Sequence, residues 1–255
     1  MSFTTSINIE RDFGKIPHYI VTANARQTIG KIINHFASGI HSFCLIGSYG
    51  TGKSSFILAL ENCLCGKTVG KNVLLSQRGQ FNSFEQFSFI NIVGDYASLA
   101  NLLASHLNAE SKNVISVLDN HYNRLQKTNQ FLVIVIDEFG KVLEHAAKNN
   151  PEKEMYFLQK FCEYVNDTSK NILFLTTLHQ GFGAYAKGLK AEQKQEWTKV
   201  KGRIQDIVFA EPIEQLLNLT ATHISSADKK PTLNTDKIYN LSLIHISEPT
   251  RLRRI

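Results

Sequence analysis

The stretch HSFCLIGSYGTGKSS, residues 41–55, decides how the rest of the chain is interpreted. A short apolar run ends in a glycine-rich loop, and the run FILALENCL, residues 56–64, continues as a helix. Gly47, Gly52, Lys53 and Ser54 occupy every fixed position of the pattern G-x-x-x-x-G-K-[ST]. Because the glycines let successive backbone N–H groups point inward, this loop between a strand and a helix predicts a phosphate-binding site.

The residues of this loop have separate predicted roles. Lys53 would reach the β- and γ-phosphates of a nucleotide, while the helix adds the positive end of its dipole beneath them. Ser54 would offer its hydroxyl to Mg²⁺, which keeps several waters and needs only one or two protein ligands. The predicted ATP-binding residues are Gly47, Ser48, Tyr49, Gly50, Thr51, Gly52, Lys53, Ser54 and Ser55.

Apolar runs and helical patterns alternate along the chain. The runs HSFCLIG, FSFINIVG, FLVIVID, NILFLTTL and DIVF predict five strands, and amphipathic segments separate them. Asp95 is expected to cap the helix YASLANLLASHL. Fully apolar strands separated by helices indicate a parallel sheet that is covered on both faces. The predicted fold class is therefore α/β.

An acidic pair ends the run LVIVIDE, where a parallel strand would end. Asp137 would hold the hydrated Mg²⁺, and Glu138 would polarise a water molecule against the γ-phosphate. Such a pair can also simply cap the helix that follows it. The phosphate-binding loop upstream favours the catalytic interpretation.

The order of GSYGTGKSS, LVIVIDE and NILFLTTLHQ resembles the AAA+ branch of the P-loop NTPases over roughly residues 15–240. The resemblance implies a three-layer P-loop NTPase core with a five-stranded parallel sheet, followed by a helical lid. It also implies a polar residue, called sensor 1, at the tip of the strand between the phosphate-loop strand and the acidic strand, where it would contact the γ-phosphate or the attacking water. Candidates for sensor 1 are Thr176, Thr177, His179 and Gln180, of which Thr177 is preferred. Both threonines could also merely end a strand.

The segment EWTKVKGRIQDIVFAEPIEQLLNL resembles the turn that leads into the fifth strand of this family, although Ile204 and Gln205 stand where the family has Phe and Asp. Arg203 would then be an arginine finger that acts on the ATP of a neighbouring subunit, and this implies a homo-oligomer. Two other interpretations stay open, a solvated basic helix face or a nucleic-acid patch. Both would include Lys187, Lys190, Lys194, Lys199 and Lys201.

Three smaller interpretations rest on short segments or single residues. The segment YIV, residues 19–21, stands where the family commonly lines the adenine, but such a trio is as often core. Asn91 on the second strand could gate Glu138, as a polar residue does in many relatives. Trp197 is expected to anchor packing rather than to stack on a ligand.

The last fifteen residues, LSLIHISEPTRLRRI, are expected not to be biological, because they can be back-translated into a transposase mosaic-end adapter used in sequencing libraries. The expected division is a P-loop ATPase core over residues 1–212, the start of a truncated helical lid over 213–240, and adapter-derived sequence over 241–255. Without one glutamate and three arginines of this tail, the formal net charge falls from +6 to +4.

Composition excludes several classes of protein. With 43% hydrophobic residues the chain can bury a full core. No run approaches the ~18 apolar residues of a membrane helix, so no membrane partner and a cytoplasmic location are expected. The four cysteines lack a CxxC pair, which favours packing over metal binding.

The segments DEFGKVLEHAA and LHQGF look similar to large bacterial P-loop proteins, some of which accompany defence against phage.

The predicted function is Mg²⁺-dependent ATP hydrolysis by an oligomeric motor or remodeller that acts on a macromolecule, either DNA or a protein. The alternative is a regulatory switch in which bound nucleotide sets the conformation of a partner or fused module and turnover is slow. A GTPase would need an N-K-x-D motif and an ABC-type ATPase an LSGGQ-like one, and the sequence contains neither. A small-molecule kinase stays possible on the loop alone, but the acidic pair favours water as acceptor.

Overall fold

The computed structural model describes residues 7–15, 19–66, 81, 83–211 and 217. The chain divides into two compact units, one formed by Thr4–Glu211 and the other by Met1–Phe3 with Pro212–Ile255. Apart from Leu217, the predicted lid over 213–240 and the tail over 241–255 lie outside the described residues. The unit Thr4–Glu211 contains the sheet and the candidate site.

Within the described residues, five strands form one sheet in which every pairing is parallel. Its order is β2-β3-β4-β1-β5, so β4 lies between the phosphate-loop strand and the acidic strand, as the resemblance implied. The strands are β1 (Ser42–Ile46), β2 (Gln86–Val93), β3 (Gln130–Asp137), β4 (Ile172–Leu178) and β5 (Gln205–Val208).

Helices cover both faces of this sheet. They are α1 (Ala23–Ala37), α2 (Lys53–Leu64), α3 (Leu99–Leu107), α4 (Val114–Gln126), α5 (Gly140–Lys148), α6 (Pro151–Val165) and α7 (Ala191–Lys201), with short 3-10 helices at Ser111–Asn113 and Phe182–Ala186. One hydrophobic cluster joins α1 and α2 to one face, and a second joins α3 to α7 to the other. The α/β class and the three-layer arrangement predicted from the sequence are confirmed.

The acidic strand β3 shows why its sequence is a continuous apolar run. Phe131, Val133 and Val135 are buried in the cluster of α1 and α2, and Ile134 and Ile136 are buried in the opposite cluster. A strand that alternates between two covered faces has no solvent-facing positions, so both sets of side chains are apolar. The carboxyl end of this strand is thereby held rigidly at the edge of the core.

Two expectations about local structure have different outcomes. The helix α3 begins after Ser98, whose side chain accepts a hydrogen bond of 3.2 Å from the N–H of Asn101. The prediction that Asp95 caps this helix is wrong, because Asp95 accepts from the N–H of Tyr96 in the preceding turn. Trp197 is buried, as expected of a packing anchor.

Among the described helices, none combines the length and the apolar character that crossing a membrane requires.

Candidate nucleotide site

The loop between β1 and α2 has the backbone geometry that its glycines permit. Gly50 and Gly52 have φ angles of 77° and 84°, in the left-handed region that glycine adopts without steric cost. A Cβ atom at Gly47 would overlap the carbonyl oxygen of Phe209, so this position requires glycine for space. The tight passage of the loop past Phe209 therefore depends on Gly47, whereas Gly50 and Gly52 permit the left-handed turns of the loop.

The helix α2 begins at Lys53 without a capping side chain, because the N-cap position is Gly52. Ser54 and Ser55 belong to the first turn of this helix. The first N–H groups of a helix have no partners within it, and they carry the positive end of its dipole. An uncapped N-terminus after a glycine-rich loop is suited to bind an anion such as phosphate.

Lys53 is the cation of this loop. Its Nζ donates hydrogen bonds to the carbonyl oxygens of Gly47 at 2.5 Å and of Ser48 at 2.8 Å. Burial lowers the pKa of Lys53 from its ordinary value, and the nearby charge of Asp137 partly offsets that effect. The ammonium group is therefore held by carbonyl oxygens of its own loop.

The acidic pair at the end of β3 is joined to the end of β4. Asp137, only 6% exposed, accepts a hydrogen bond of 2.5 Å from the hydroxyl of Thr177 through its Oδ1. The N–H of Glu138 is shared between Asp137 Oδ1 at 3.1 Å and Thr177 Oγ1 at 3.0 Å. Glu138 itself has a φ of 54°, a left-handed conformation that is uncommon for a residue with a side chain. These bonds compensate for that conformation at the tip of the strand.

Gly94, at the end of β2, is a site residue that the sequence reasoning missed. Its N–H donates a hydrogen bond of 2.7 Å to the carbonyl oxygen of Asp137. A Cβ atom at this position would lie 2.6 Å from the carbonyl oxygen of Glu138, closer than real Cβ contacts come. The glycine that ends FSFINIVG is visible in the sequence, but its contact with the acidic turn follows only from the pairing of β2 with β3.

One cleft of about 270 Å³ brings the predicted residues together. Within the described part of the chain its lining includes the phosphate loop, the acidic pair and the end of β4, namely Tyr49, Gly50, Gly52, Lys53, Ser54, Ser55, Asp137, Glu138 and Thr177. Ile7, Leu178 and His179 complete it. Gly47, Ser48 and Thr51 belong to the same loop without lining the cleft.

The residues after β4 form an aromatic contact with the phosphate loop. The ring of Tyr49 stacks on His179 with centroids 4.8 Å apart and planes 20° apart. The hydroxyl of Tyr185 lies 3.4 Å from Nδ1 of His179, and Gly140 leaves the room for that hydroxyl. Tyr185 was another residue that the sequence did not single out, since its neighbours in space lie on three separate segments.

The other sensor 1 candidates lie differently. Thr176 is fully buried, and its hydroxyl donates to the carbonyl oxygen of Phe43 on β1. It therefore braces the sheet and does not line the cleft. Gln180 is not among the lining residues, whereas His179 is. Thr177, the preferred candidate, is the threonine that reaches the acidic pair.

Arg203 is not part of the cleft. It lies between α7 and β5, where Nη2 donates to Glu163 Oε1 at 2.7 Å and Nη1 donates to the carbonyl oxygen of Lys199 at 2.8 Å. Its main contacts are therefore to α6 and α7 of its own chain. The arginine finger stays a prediction that requires a second subunit.

Asn91 also lies away from Glu138. Its side chain donates a hydrogen bond of 3.4 Å to the carbonyl oxygen of Ile9 and lies beside the buried Glu61 of α2. The described contacts of Asn91 thus lie on the α1 and α2 side of β2, and the predicted gating contact with Glu138 is not among them. Tyr19 and Val21 pack against the core cluster of that same side.

A parallel sheet in the order β2-β3-β4-β1-β5, with a phosphate loop after β1, an acidic pair after β3 and a polar residue at the end of β4, agrees with the P-loop arrangement that the resemblance to the AAA+ branch implied. No family model and no curated protein matches the sequence.

Solved structures similar to this chain include the Aeropyrum pernix ORC2 protein. In its ADPNP-ADP complexes it matches with a TM-score of 0.54 and 14% identity, over 82% of this chain and 53% of that one. In its ADP form the TM-score is 0.53 at the same identity, over 82% and 54%. C. elegans PCH-2 matches at a TM-score of 0.39 and 13% identity, over 80% and 45%. This chain spans about half the length of these structures. At 14% identity, the likeness to the ORC2 protein shows the fold alone.

Proposed function

We propose that this chain binds ATP with Mg²⁺ and hydrolyses it in the cleft between the phosphate loop and the acidic turn. The observation that carries the proposal is the convergence of Lys53, Asp137, Glu138 and Thr177, from three separate elements, on one cleft. The ORC2 protein, whose fold is similar, was solved with ADPNP and ADP, and this supports a nucleotide as the ligand of the cleft.

The residues of the cleft fit a nucleotide and its metal. The uncapped start of α2 and the ammonium of Lys53 supply positive charge for the phosphates. The hydroxyl of Ser54 and the carboxylate of Asp137 are the oxygen ligands that Mg²⁺ prefers. Bound there, Mg²⁺ would neutralise charge that develops on the phosphate oxygens.

The hydrolytic step would use Glu138. Its carboxylate accepts a proton from the attacking water, the water oxygen bonds to the γ-phosphorus, and the bond to the β-γ bridging oxygen breaks. The products are ADP and inorganic phosphate. Thr177 holds the acidic turn through its bonds to the carboxylate of Asp137 and the backbone N–H of Glu138, so its part would be to fix the position of that turn.

Beyond hydrolysis, we propose an oligomeric motor or remodeller that acts on DNA or a protein. Arg203 would complete the site of a neighbouring subunit, because a guanidinium placed at the γ-phosphate stabilises the transition state. To do so, it must exchange its ion pair with Glu163 for the nucleotide of that subunit. This exchange would make hydrolysis depend on assembly.

A nucleotide-dependent regulatory switch is the second candidate, and one set of contacts favours it. The ammonium of Lys53 donates hydrogen bonds to two carbonyl oxygens of its own loop. Lys53 would have to loosen these internal contacts before it could reach the phosphates. A slow ATPase whose bound state is long-lived would suit a switch better than a motor.

The test compares Lys53→Ala, Glu138→Gln and the surface control Lys112→Ala. We expect Lys53→Ala to lose binding of a fluorescent ATP analogue, and Glu138→Gln to keep binding but lose at least about 100-fold in phosphate release. The control should match the unmodified chain. Normal turnover in Glu138→Gln would rule out its role as the base.

The same assay separates the remaining alternatives. Phosphate release without any added acceptor argues against a small-molecule kinase. Stimulation by DNA that weakens steeply between two salt concentrations indicates a nucleic-acid substrate, since phosphate contacts are salt-dependent. A turnover number far below the usual range of about 1 s⁻¹ or more, with tight nucleotide binding, favours the switch.

A further inference from the structure

The backbone of Glu138 is fixed on several sides. Its N–H is bonded to Asp137 and Thr177, its carbonyl oxygen accepts from the N–H of Lys141 at 3.2 Å, and Gly94 lies against that same carbonyl. The left-handed φ of 54° is therefore well supported. These contacts determine where the side chain starts, but not where its carboxylate points.

The carboxylate of Glu138 is oriented by one ion pair. Its side chain is 47% exposed, and Oε2 lies 2.7 Å from Nζ of Lys141. Within the described part of the chain, this ion pair is the contact that the carboxylate makes. An exposed glutamate without such a contact would sample several rotamers, because each of its χ angles has alternative staggered wells.

Lys141 stands at an unusual place for a lysine. It is the second residue of α5, which begins at Gly140. A cation in the first turn is disfavoured by the helix dipole, and an exposed ion pair adds little to stability. The fold therefore gains little from a lysine at this position, whereas the carboxylate of the acidic pair gains a fixed partner.

We propose that Lys141 is a positioning residue, which holds the Glu138 carboxylate by one oxygen so that the other oxygen faces the attacking water. This inference rests on the proposed ATPase function. Lys141 acts through Glu138 and need not touch the nucleotide. A base that is held in one orientation avoids the rate loss that follows when reacting groups are misplaced by about 1 Å.

Besides Glu138, Asp95 and Tyr49 also act on the charge of Lys141. The pKa of Lys141 is raised, mainly by its hydrogen bond to Glu138 and in smaller part by Asp95 and Tyr49. Lys141 thus stays protonated, and its ammonium has a nearby acidic neighbour in the loop after β2. The partner of Glu138 is a permanent cation at any pH used for an ATPase assay.

The experiment uses the full chain with four single variants and one double variant. Lys141→Met removes the charge but keeps much of the length, and Lys141→Arg keeps the charge. Glu138→Gln and the double variant Glu138→Gln with Lys141→Met form a mutant cycle. Lys148→Met, at an exposed site on the same helix, is the matched control for loss of one lysine.

We expect Lys141→Met to lower kcat about 10-fold to 100-fold while KM for ATP, binding of the fluorescent analogue and the melting temperature stay unchanged. Lys141→Arg should recover most of the rate, and Lys148→Met should have no effect. In single-turnover measurements on the Glu138→Gln background, Lys141→Met should have no further effect, because the carboxylate that it positions is gone.

Each other outcome overturns the inference. An unchanged or increased kcat in Lys141→Met means that the pair does not position the base. The same fold-loss in the Glu138→Gln background means that Lys141 acts independently, and a change in KM alone means that it binds nucleotide. If the unmodified chain hydrolyses no more ATP than Lys53→Ala, the proposed ATPase function fails first and the inference falls with it.

Discussion

The hydroxyl of Thr177 donates a hydrogen bond of 2.5 Å to Oδ1 of Asp137, and so ties the end of β4 to the end of β3. The oxygen of this Thr177 hydroxyl also accepts a hydrogen bond from the N–H of Glu138. A hydroxyl has one proton to donate, and that proton is committed to the carboxylate. Thr177 therefore fixes the placement of the acidic pair, and its role as sensor 1 stays a prediction.

Replacing Thr177 by Val should destabilise the fold and, under the proposed function, weaken the binding of Mg²⁺. The buried Asp137 would lose its hydroxyl donor, at a cost of about 1–3 kcal/mol in the free energy of unfolding. The Mg²⁺ concentration for half-maximal ATPase activity should rise about 10-fold, since the carboxylate is no longer held. Urea denaturation and a Mg²⁺ titration measure the two effects. Thr177→Ser keeps the hydroxyl and should behave normally; equal behaviour of Val and Ser would contradict the role of this bond.

Replacing Gly94 by Ala should disturb the acidic turn from the opposite side. The new Cβ would lie 2.6 Å from the carbonyl oxygen of Glu138 and 2.9 Å from that of Asp137, and neither backbone oxygen can move freely. We expect a loss of about 1–3 kcal/mol in stability, typical of overpacking, together with loss of ATPase activity.

The matched control for Gly94→Ala is Gly30→Ala within α1. A Cβ at Gly30 meets nothing within 4 Å. There the substitution should stabilise the protein by about 0.5–1 kcal/mol, because alanine favours the helix. Thermal unfolding of the two variants should therefore move in opposite directions. A Gly94→Ala variant as stable as the unmodified chain would show that β2 does not approach the acidic turn so closely.

The parts of this fold that the sequence predicts are those with local patterns. The phosphate loop is defined by the fixed spacing of Gly47, Gly52 and Lys53, and β3 by a run of apolar residues on both of its faces. The placement of β4 between β1 and β3 followed from the resemblance to a family, and the positions of β2 and β5 come from the structure. With β4 next to β3, the meeting of Asp137 and Thr177 at one edge could be anticipated.

The remaining contacts depend on geometry that no local pattern encodes. Gly94 reaches the acidic turn because β2 pairs with β3 in a particular register. The contact between Lys141 and Glu138 forms where Glu138 adopts a left-handed conformation. The start of α3 was misplaced because Asp95 and Ser98 are comparably good caps, and only the tertiary structure selects Ser98.

Glu61 should make the stability of the protein depend on pH. It is 2% exposed on α2, and burial raises the pKa of its carboxyl to about 8, with a small opposing effect of Asn91. The folded form thus holds its proton more tightly than the unfolded form. Stability is full below the ordinary value near 4.5 and is lost as the pH rises towards 8, by at most about 1.4 kcal/mol per pH unit.

The variant Glu61→Gln tests this, because glutamine stays neutral. Its free energy of unfolding should equal that of the unmodified chain near pH 4.5, exceed it increasingly up to pH 8, and stay higher above that. Urea denaturation at four pH values is sufficient. Glu85→Gln, at an exposed site, controls for the loss of one carboxylate. A difference that is constant with pH would mean that Glu61 is ionised in the folded protein.

Arg203 should act on a neighbouring subunit if its predicted role is right, and its ion pair with Glu163 makes the test specific. Arg203→Ala alone should lower ATPase activity with little change in stability, because the pair is partly exposed. Glu163→Gln removes the partner of Arg203 and should not lower activity. If Arg203→Ala and Glu163→Gln lose activity and stability equally, the pair is only structural.

A mixing experiment tests whether Arg203 acts between subunits. When Arg203→Ala and Glu138→Gln chains assemble together, some interfaces combine the intact Glu138 of one subunit with the intact Arg203 of the other. Phosphate release should then exceed that of either variant alone and should increase with total protein concentration. No recovery at saturating protein would leave Arg203 as part of a solvated basic surface.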